Sequence, residues 1–333
     1  MESDRQNILE EKGISWLTAV RVVIAATVSL LVLFFLLRTF NVADVVAALA
    51  RGNRRLIALA ALISLLINIA WGTLKWQRIL KLLHHPLGFK EALAVRSGFL
   101  PLKVLLPLKS SELLKAYYLE KLKHIPFGRT VSSLLLDKVM NVLVTLGMLF
   151  VGLCRISPCV FRWVAALGLL LIFLFLFAQG TPRGIVACVK KLSPRLGDFT
   201  GQLLSGLREV GSVEKVKLIL YSFVYQLSEF LNTYILFRAM GITVPFSLIL
   251  ILIPLIMVVN NIPVTVLGMG TREALMVFLF AQYGSSTALL SAGLLVSLVE
   301  HVLPVVFGLL FIKPLLALLT LPRRRLAEGK RGV

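Results

Sequence analysis

Five ionisable residues interrupt stretches of sequence otherwise suited to lipid: Asp137, Lys138, Glu229, Glu300 and His301. Three more, Glu112, Arg272 and Glu273, stand where such stretches break. Charge in hydrocarbon is costly, so side chains of this kind face a bundle interior or a wet cavity. They have polar company at helical spacing. Ser222, Gln226, Glu229 and Thr233 form one set; Ser133, Asp137, Asn141 and Thr145 a second; Ser64, Asn68 and Lys75 a third. Residues three or four apart share a helix face. Each set therefore predicts one polar face. Such a face either ties helices together through hydrogen bonds or lines a cavity for a polar headgroup.

The breaks carry a second kind of chemistry. PLKSSELLK (107–115) groups Lys109, Ser110, Ser111, Glu112 and Lys115 at a helix start, and LGMGTRE (267–273) groups Gly268, Gly270, Arg272 and Glu273 at another. Asn260 and Asn261 precede the second break and can satisfy freed backbone groups. A broken helix presents open N–H groups and the positive end of its dipole, which suits phosphate or carboxylate. Gly268 and Gly270 allow a sharp turn and close approach of a ligand. Glu112 and Glu273 read first as helix-start acids, which leaves anion binding to Lys109, Arg272 and the backbone. No catalytic set, cofactor fingerprint or metal cluster stands out. His84-His85 lacks acidic or Cys partners, so neither a metal nor a cofactor is expected.

The elements that must position these residues follow from composition. The chain has 333 residues, 58% of them hydrophobic and 16% charged. Soluble domains carry roughly 45–50% apolar and about 25% charged residues. The apolar residues come in runs such as 16–37, 160–178 and 287–312, and about 20 apolar residues in a helix cross a hydrocarbon core. The start, MESDRQNILEEKGIS, is acidic and polar, unlike a cleavable signal peptide. The expectation is an all-α polytopic membrane bundle occupying 1–333 as one integral domain. Six full spans are read near 16–37, 56–74, 130–152, 160–178, 218–237 and 287–312. Two interrupted regions, 92–119 and 246–283, read as broken, re-entrant hairpins, with eight spans as the alternative.

With both termini inside, the inner segments hold 24 Lys and Arg and the outer segments 7. Positive residues collect on the cytoplasmic side, so the N-in, C-in arrangement is favoured. The loop 38–55, with Arg51, Arg54 and Arg55, fits least well. The net charge of +20 is then explained by contact with anionic headgroups, without nucleic acid. Membrane lipids are the expected partners, and homo-oligomerisation stays open. The hydrophilic stretch 179–217 suits an interfacial connector. Cys154 and Cys159 flank a short outer loop, where pairing or free thiols are both open.

The two interrupted regions also match each other. Pro107 follows Phe89 by 18 residues and Pro263 follows Phe246 by 17; Glu112 precedes Asp137-Lys138 by 25 and Glu273 precedes Glu300-His301 by 27. Each half reads span, span, broken hairpin, span, the first starting inside and the second outside. This predicts inverted repeats over about 16–152 and 160–312, a plan transporters use to build a midplane site from broken helices.

PLKSSELLKAYYLEK, the span opening RTVSSLLLDKVMNVL, and NNIPVTVLGMGTREALMVFLF resemble, in order and spacing, the lysylphosphatidylglycerol synthase transmembrane region family, also described as the flippase-like domain of the multiple peptide resistance factor. The likeness covers about residues 15–315. The family's Pro-Gly-Arg-x-Gly-Glu motif stands here as Pro107-Leu108-Lys109-Ser110-Ser111-Glu112, with Lys replacing Arg and both glycines lost. Its Gly-x-Gly-x-Arg-Glu motif is complete at Gly268, Gly270, Arg272 and Glu273. The resemblance implies a flippase-like protein of a prokaryotic inner membrane. Its cargo would be an anionic or aminoacylated phospholipid, or a polyprenyl-linked lipid. The soluble synthase domain of bifunctional members has no counterpart here, so an enzyme is not expected. An intramembrane lipid-modifying transferase using Glu112, Asp137 or Glu300, and a non-transporting lipid-binding subunit, are the alternatives.

Overall fold

The computed structural model describes residues 51–102, 110–156, 208–260 and 271–319, with further positions at 43, 47, 50, 163, 166–170, 201 and 206. Among the described residues every regular element is helical, and there is no strand. Among the described residues three helical stretches are long and apolar enough to cross a membrane: Arg54–Leu82, Phe127–Gly152 and Ser286–Phe311. The first and third are not continuous α-helices. Helix α1 (Arg54–Leu65) passes through a π-helical turn, Leu66–Trp71, into α2 (Gly72–Leu82). The next elements are α3 (Phe89–Gly98), α4 (Ser110–Lys123) and α5 (Phe127–Ile156). The later part has α6 (Ser212–Ala239), α7 (Phe246–Asn260) and α8 (Thr271–Leu279). The last stretch begins as α9 (Ser286–Ser297), turns π-helical at Leu298–Val302, resumes as α10 (Leu303–Gly308) and tightens to a 3₁₀ turn at Leu309–Phe311. Helix α11 (Lys313–Leu319) follows.

Local chemistry sets several ends. The Asn53 side chain accepts from the N–H groups of Arg55 at 3.1 Å and Leu56 at 3.4 Å, which caps α1. Its own N–H donates to the Ala239 carbonyl at 2.8 Å, tying the start of α1 to the end of α6. Gly241 then turns the chain at φ 74°, a conformation glycine adopts without strain. Each of the two regions the sequence marks as interrupted holds two described α-helices. Helix α3 ends at Gly98 and α4 opens at Ser110, with Glu112 in its first turn; α7 ends at Asn260 and α8 opens at Thr271, with Glu273 in its first turn. Residues 103–109 and 261–270, which hold Lys109, Asn261, Gly268 and Gly270, lie outside the described residues, as does Cys159.

The packing is reciprocal. Helix α5 lies along α7 and α4, while the end of the last stretch lies along α3, and α8 along α9. Backbones approach closely at these crossings. A Cβ at Gly98 would strike the Phe311 carbonyl, one at Gly308 would sit 2.5 Å from the Ser97 carbonyl oxygen, and one at Gly152 would meet Ile251 at 2.7 Å. Small residues at crossings are how helices associate in lipid, where the hydrophobic effect gives no preference between a helix and an acyl chain. Apolar clusters fill the gaps. Phe230, Phe237, Ile253, Phe280 and Leu295 form one, and Trp76, Leu80, Phe99, Leu119 and Leu315 another. The outer faces stay apolar too: Leu62, Leu220, Phe278 and Leu310 are exposed, as suits a surface solvated by lipid rather than water.

Candidate functional site

Three polar clusters form and draw in members of the sets expected from spacing, while Ser222 and Thr233 donate to the Leu218 and Glu229 carbonyls of their own helix. The first joins α2, α3, α4 and α5. Lys75 Nζ lies 3.0 Å from Asp137 Oδ1 and donates to Asn141 Oδ1 at 2.5 Å and to the Asp137 carbonyl at 3.2 Å. The Lys75 side chain is only 1% exposed, so the pair is desolvated. Arg96 approaches the other oxygen of the same carboxylate at 3.9 Å. Gly72 makes room for it, because a Cβ there would overlap the guanidinium. Nearby, Glu112 holds Lys115 at 2.8 Å and Lys138 at 3.8 Å. Trp76 Nε1 donates to Ser133 Oγ at 3.1 Å and braces the wall beside the pair.

The second cluster surrounds Glu300 on the second π turn. Asn68 Nδ2 donates to Glu300 Oε2 at 3.0 Å, Ser64 Oγ reaches the same oxygen at 3.4 Å, and Asn232 Nδ2 donates to Oε1. Ser64 also donates to the Val299 carbonyl at 2.8 Å, and Tyr225 donates to Asn68 Oδ1 at 2.5 Å. The third cluster lies at the start of α8. Arg272 donates to Ser297 Oγ at 3.3 Å and to His301 Nε2, and Ser297 donates to Glu273. Gly293 permits it: a Cβ there would press on Glu273 at 3.3 Å.

Helix α6 stands between the clusters. Tyr225 is in electrostatic range of Glu229, Arg96, Glu300 and Asp137, and Arg272 of Glu229 and Glu300. Gln226 donates to Thr145, which joins the first two polar sets. The third set divides: Ser64 and Asn68 serve Glu300, while Lys75 serves Asp137. The π turn at Leu66–Trp71 lies between them. Its i→i+5 bonds break the regular helical spacing on which a single face depends.

Glu112, Lys115, Asp137, Lys138, Arg272, Glu273, Glu300 and His301 are therefore all engaged in these clusters, Glu229 lies in their field, and Ser111 is buried at the head of α4. Ser110 and Asn260 stand at helix ends. Four participants were not singled out from the sequence: Arg96, Tyr225, Asn232 and Ser297. Tyr225, Asn232 and Ser297 are polar residues in apolar helices, so a census of every such residue would have found them; Arg96 lies in α3, which is not apolar. Among the described residues no group of His, Cys, Asp and Glu could hold a metal ion.

Two features flank the clusters. An apolar cleft of about 630 Å³ opens between α5, α6 and α7, lined by Val144, Met148, Val151, Phe223 and Leu250. Outside the spans, ion pairs fasten the helix ends. Glu214 pairs with Arg78 at 3.0 Å and Lys217 at 2.7 Å, and these hydrogen bonds hold its carboxyl below the usual range. Glu91 pairs with Lys123, whose ammonium it holds above the usual lysine range.

Residues 21–308 match the model of a family described as lysylphosphatidylglycerol synthase TM region. The chain is also 21% identical to the UPF0104 membrane protein MJ1595 of Methanocaldococcus jannaschii, over 84% of this chain and 91% of that one.

Proposed function

The chain belongs to the lysylphosphatidylglycerol synthase TM region family, and from that premise we propose that it moves an anionic or aminoacylated phospholipid, or a polyprenyl-linked lipid, between the leaflets of a prokaryotic inner membrane. One observation carries the reading. In the first cluster two carboxylates, Asp137 and Glu112, are shared among four cations, Lys75, Arg96, Lys115 and Lys138. Counting Glu229, in range of Lys75, cations still outnumber acids. Excess positive charge inside an apolar bundle suits a phosphate, and the start of α4 adds a helix dipole of the right sign.

The substrate site is read as this cluster together with Arg272, with Lys109 carried over from the sequence. The apolar cleft beside α6 supports the reading, because an acyl chain could lie there while the headgroup meets charge. The reciprocal packing supports the inverted repeat: α5 lies on α7 as the last stretch lies on α3, and α4 on α5 as α8 on α9. On this reading the spans enclose two re-entrant hairpins, with both termini inside.

The test is translocation of fluorescent phosphatidylglycerol in vesicles containing the purified full chain, with Arg96→Gln and Arg272→Gln alongside. Each variant should slow leaflet exchange at least tenfold while keeping its elution profile. Full exchange by the double variant would remove the site. Covalent change of the lipid would favour the transferase reading instead, for which Glu112 and Asp137 are the available acids.

A further inference from the structure

Glu300 differs in its partners from Asp137 and Glu112, the paired carboxylates of the first cluster. It is 8% exposed, and its oxygens accept only from neutral groups, Asn68, Ser64 and Asn232. Among the described residues no Lys or Arg comes within ion-pair distance of it. Asp137 and Glu112, by contrast, each hold two cations. An ionised carboxylate without a counter-charge is strongly disfavoured in a membrane interior, and the neutral acid removes that penalty.

The surroundings can serve both forms. Asn232 Nδ2 donates to Glu300 Oε1, while Asn232 Oδ1 is buried without a hydrogen-bond partner. An ionised Glu300 uses the amide N–H. A protonated Glu300 has an O–H to donate, and a half-turn of the Asn232 amide presents the orphaned Oδ1 to receive it. Buried unpaired acceptors are rare, and after that half-turn a proton on Glu300 would satisfy this one. The backbone adds a second sign. Glu300 lies within one π turn, and Asn68 opposite lies within another. Such turns concentrate at functional positions.

Among the described residues the charged and titratable groups around Glu300 come from three elements. Helix α6 presents Tyr225 and Glu229, α8 presents Arg272 and Glu273, and its own turn carries His301. Arg272 acts on it through space, its hydrogen bonds going to Ser297 and His301. Ser64 of α1 and Asn68 of the following π turn contribute neutral groups.

We propose that Glu300 is a proton-binding site set between the Leu298–Val302 turn and the Ser64–Asn68 face, and that its loading and emptying are coupled to lipid movement. A proton from water on one side forms the carboxyl O–H, and the same bond breaks when the proton leaves to the other side. The coupling rests on the translocation reading above; the proton binding does not.

The test uses the full chain in vesicles of phosphatidylglycerol and phosphatidylethanolamine. Infrared difference spectra across a pH series should show a protonated-carboxyl C=O band that titrates in the wild type and is lost in Glu300→Gln. Asn232→Leu should keep the band and move its midpoint to higher pH, because the charge-assisted bond to the ionised form, stronger than the neutral bond to the protonated one, is lost. Absence of a Glu300-dependent band overturns the proposal, as does a band that responds to Na⁺ at fixed pH instead of to protons. Should Glu300→Gln fail to fold, the Asn232→Leu shift decides alone. For coupling, an imposed pH gradient should change the initial rate of labelled phosphatidylglycerol exchange several-fold in the wild type and leave Glu300→Gln unmoved. A wild-type rate indifferent to the gradient overturns the coupling. No exchange under any gradient sinks the translocation reading, and the infrared titration still judges the proton site.

Discussion

Lys75→Met tests whether the first cluster holds the bundle together. The methionine keeps an unbranched stem of similar reach, so the change removes the ammonium with little loss of packing. What it strips away is a 3.0 Å contact to Asp137 and a 2.5 Å hydrogen bond to Asn141, made by a side chain 1% exposed. Breaking a buried pair by removing one partner typically costs about 3–5 kcal/mol, because the other charge is left uncompensated. Arg96, at 3.9 Å, can move in to share Asp137, and the Asp137 side chain is 15% exposed. Both place Lys75→Met at the low end, about 3 kcal/mol by the same rule. Asp137→Asn leaves Lys75 with only neutral acceptors, so it belongs in the same range or above. The double variant has no charge left to strand at Lys75 or Asp137, so its loss should be smaller than the two single losses added, by about 2 kcal/mol. The assay is reversible unfolding in mixed micelles, read by tryptophan fluorescence, for all four proteins of the cycle. Single losses under about 1 kcal/mol that simply add would refute the assignment of a desolvated, coupled pair.

Gly98→Ala should destabilise by about 1–3 kcal/mol, since its Cβ meets backbone at Phe311. Gly147→Ala, with nothing nearer than 3.9 Å, should be neutral or slightly stabilising, and equal effects in the same unfolding assay would contradict the packing account. Trp76→Phe removes the N–H donor to Ser133 and should lower stability by about 1–3 kcal/mol; an unchanged midpoint would show the bond to be idle. Glu214 contributes stability that is full above its unfolded pKa and lost as pH falls through its depressed folded value. Thermal melts in mild acid should therefore fall less steeply for Glu214→Gln than for wild type, by a small margin because the carboxylate faces water; an identical pH profile would discount its pairs with Arg78 and Lys217.

Much of this was legible in the sequence because lipid makes exceptions conspicuous. Glu112 and Glu273 stand in the first turns of α4 and α8, where acids favour a helix start. Ser133, Asp137, Asn141 and Thr145 line one face at intervals of four, and all four meet partners on neighbouring helices or their own turn. Other features resisted. Arg96 lies in a weakly amphipathic segment, FKEALAVRSG, where it is one of two basic residues and gives no periodic signal. The π turns could not be foreseen, since an i→i+5 bond leaves no residue signature, and the first of them separates Ser64 and Asn68 from Lys75. Nor does spacing reveal that Glu300 meets amides while Asp137 meets cations: that depends on which helices face each other.

The central claim is that the cationic centre carries a lipid headgroup across the membrane, and leaflet exchange tests it most directly. Vesicles doped with labelled phosphatidylglycerol are quenched from outside with dithionite, with and without the full chain. The expected result is that the chain lets the protected inner-leaflet signal become quenchable, and that Arg96→Gln with Arg272→Gln removes this effect without loss of folded protein. A protected fraction that stays at the protein-free level for the wild type, with phosphatidylglycerol and with an aminoacylated lipid alike, would contradict it.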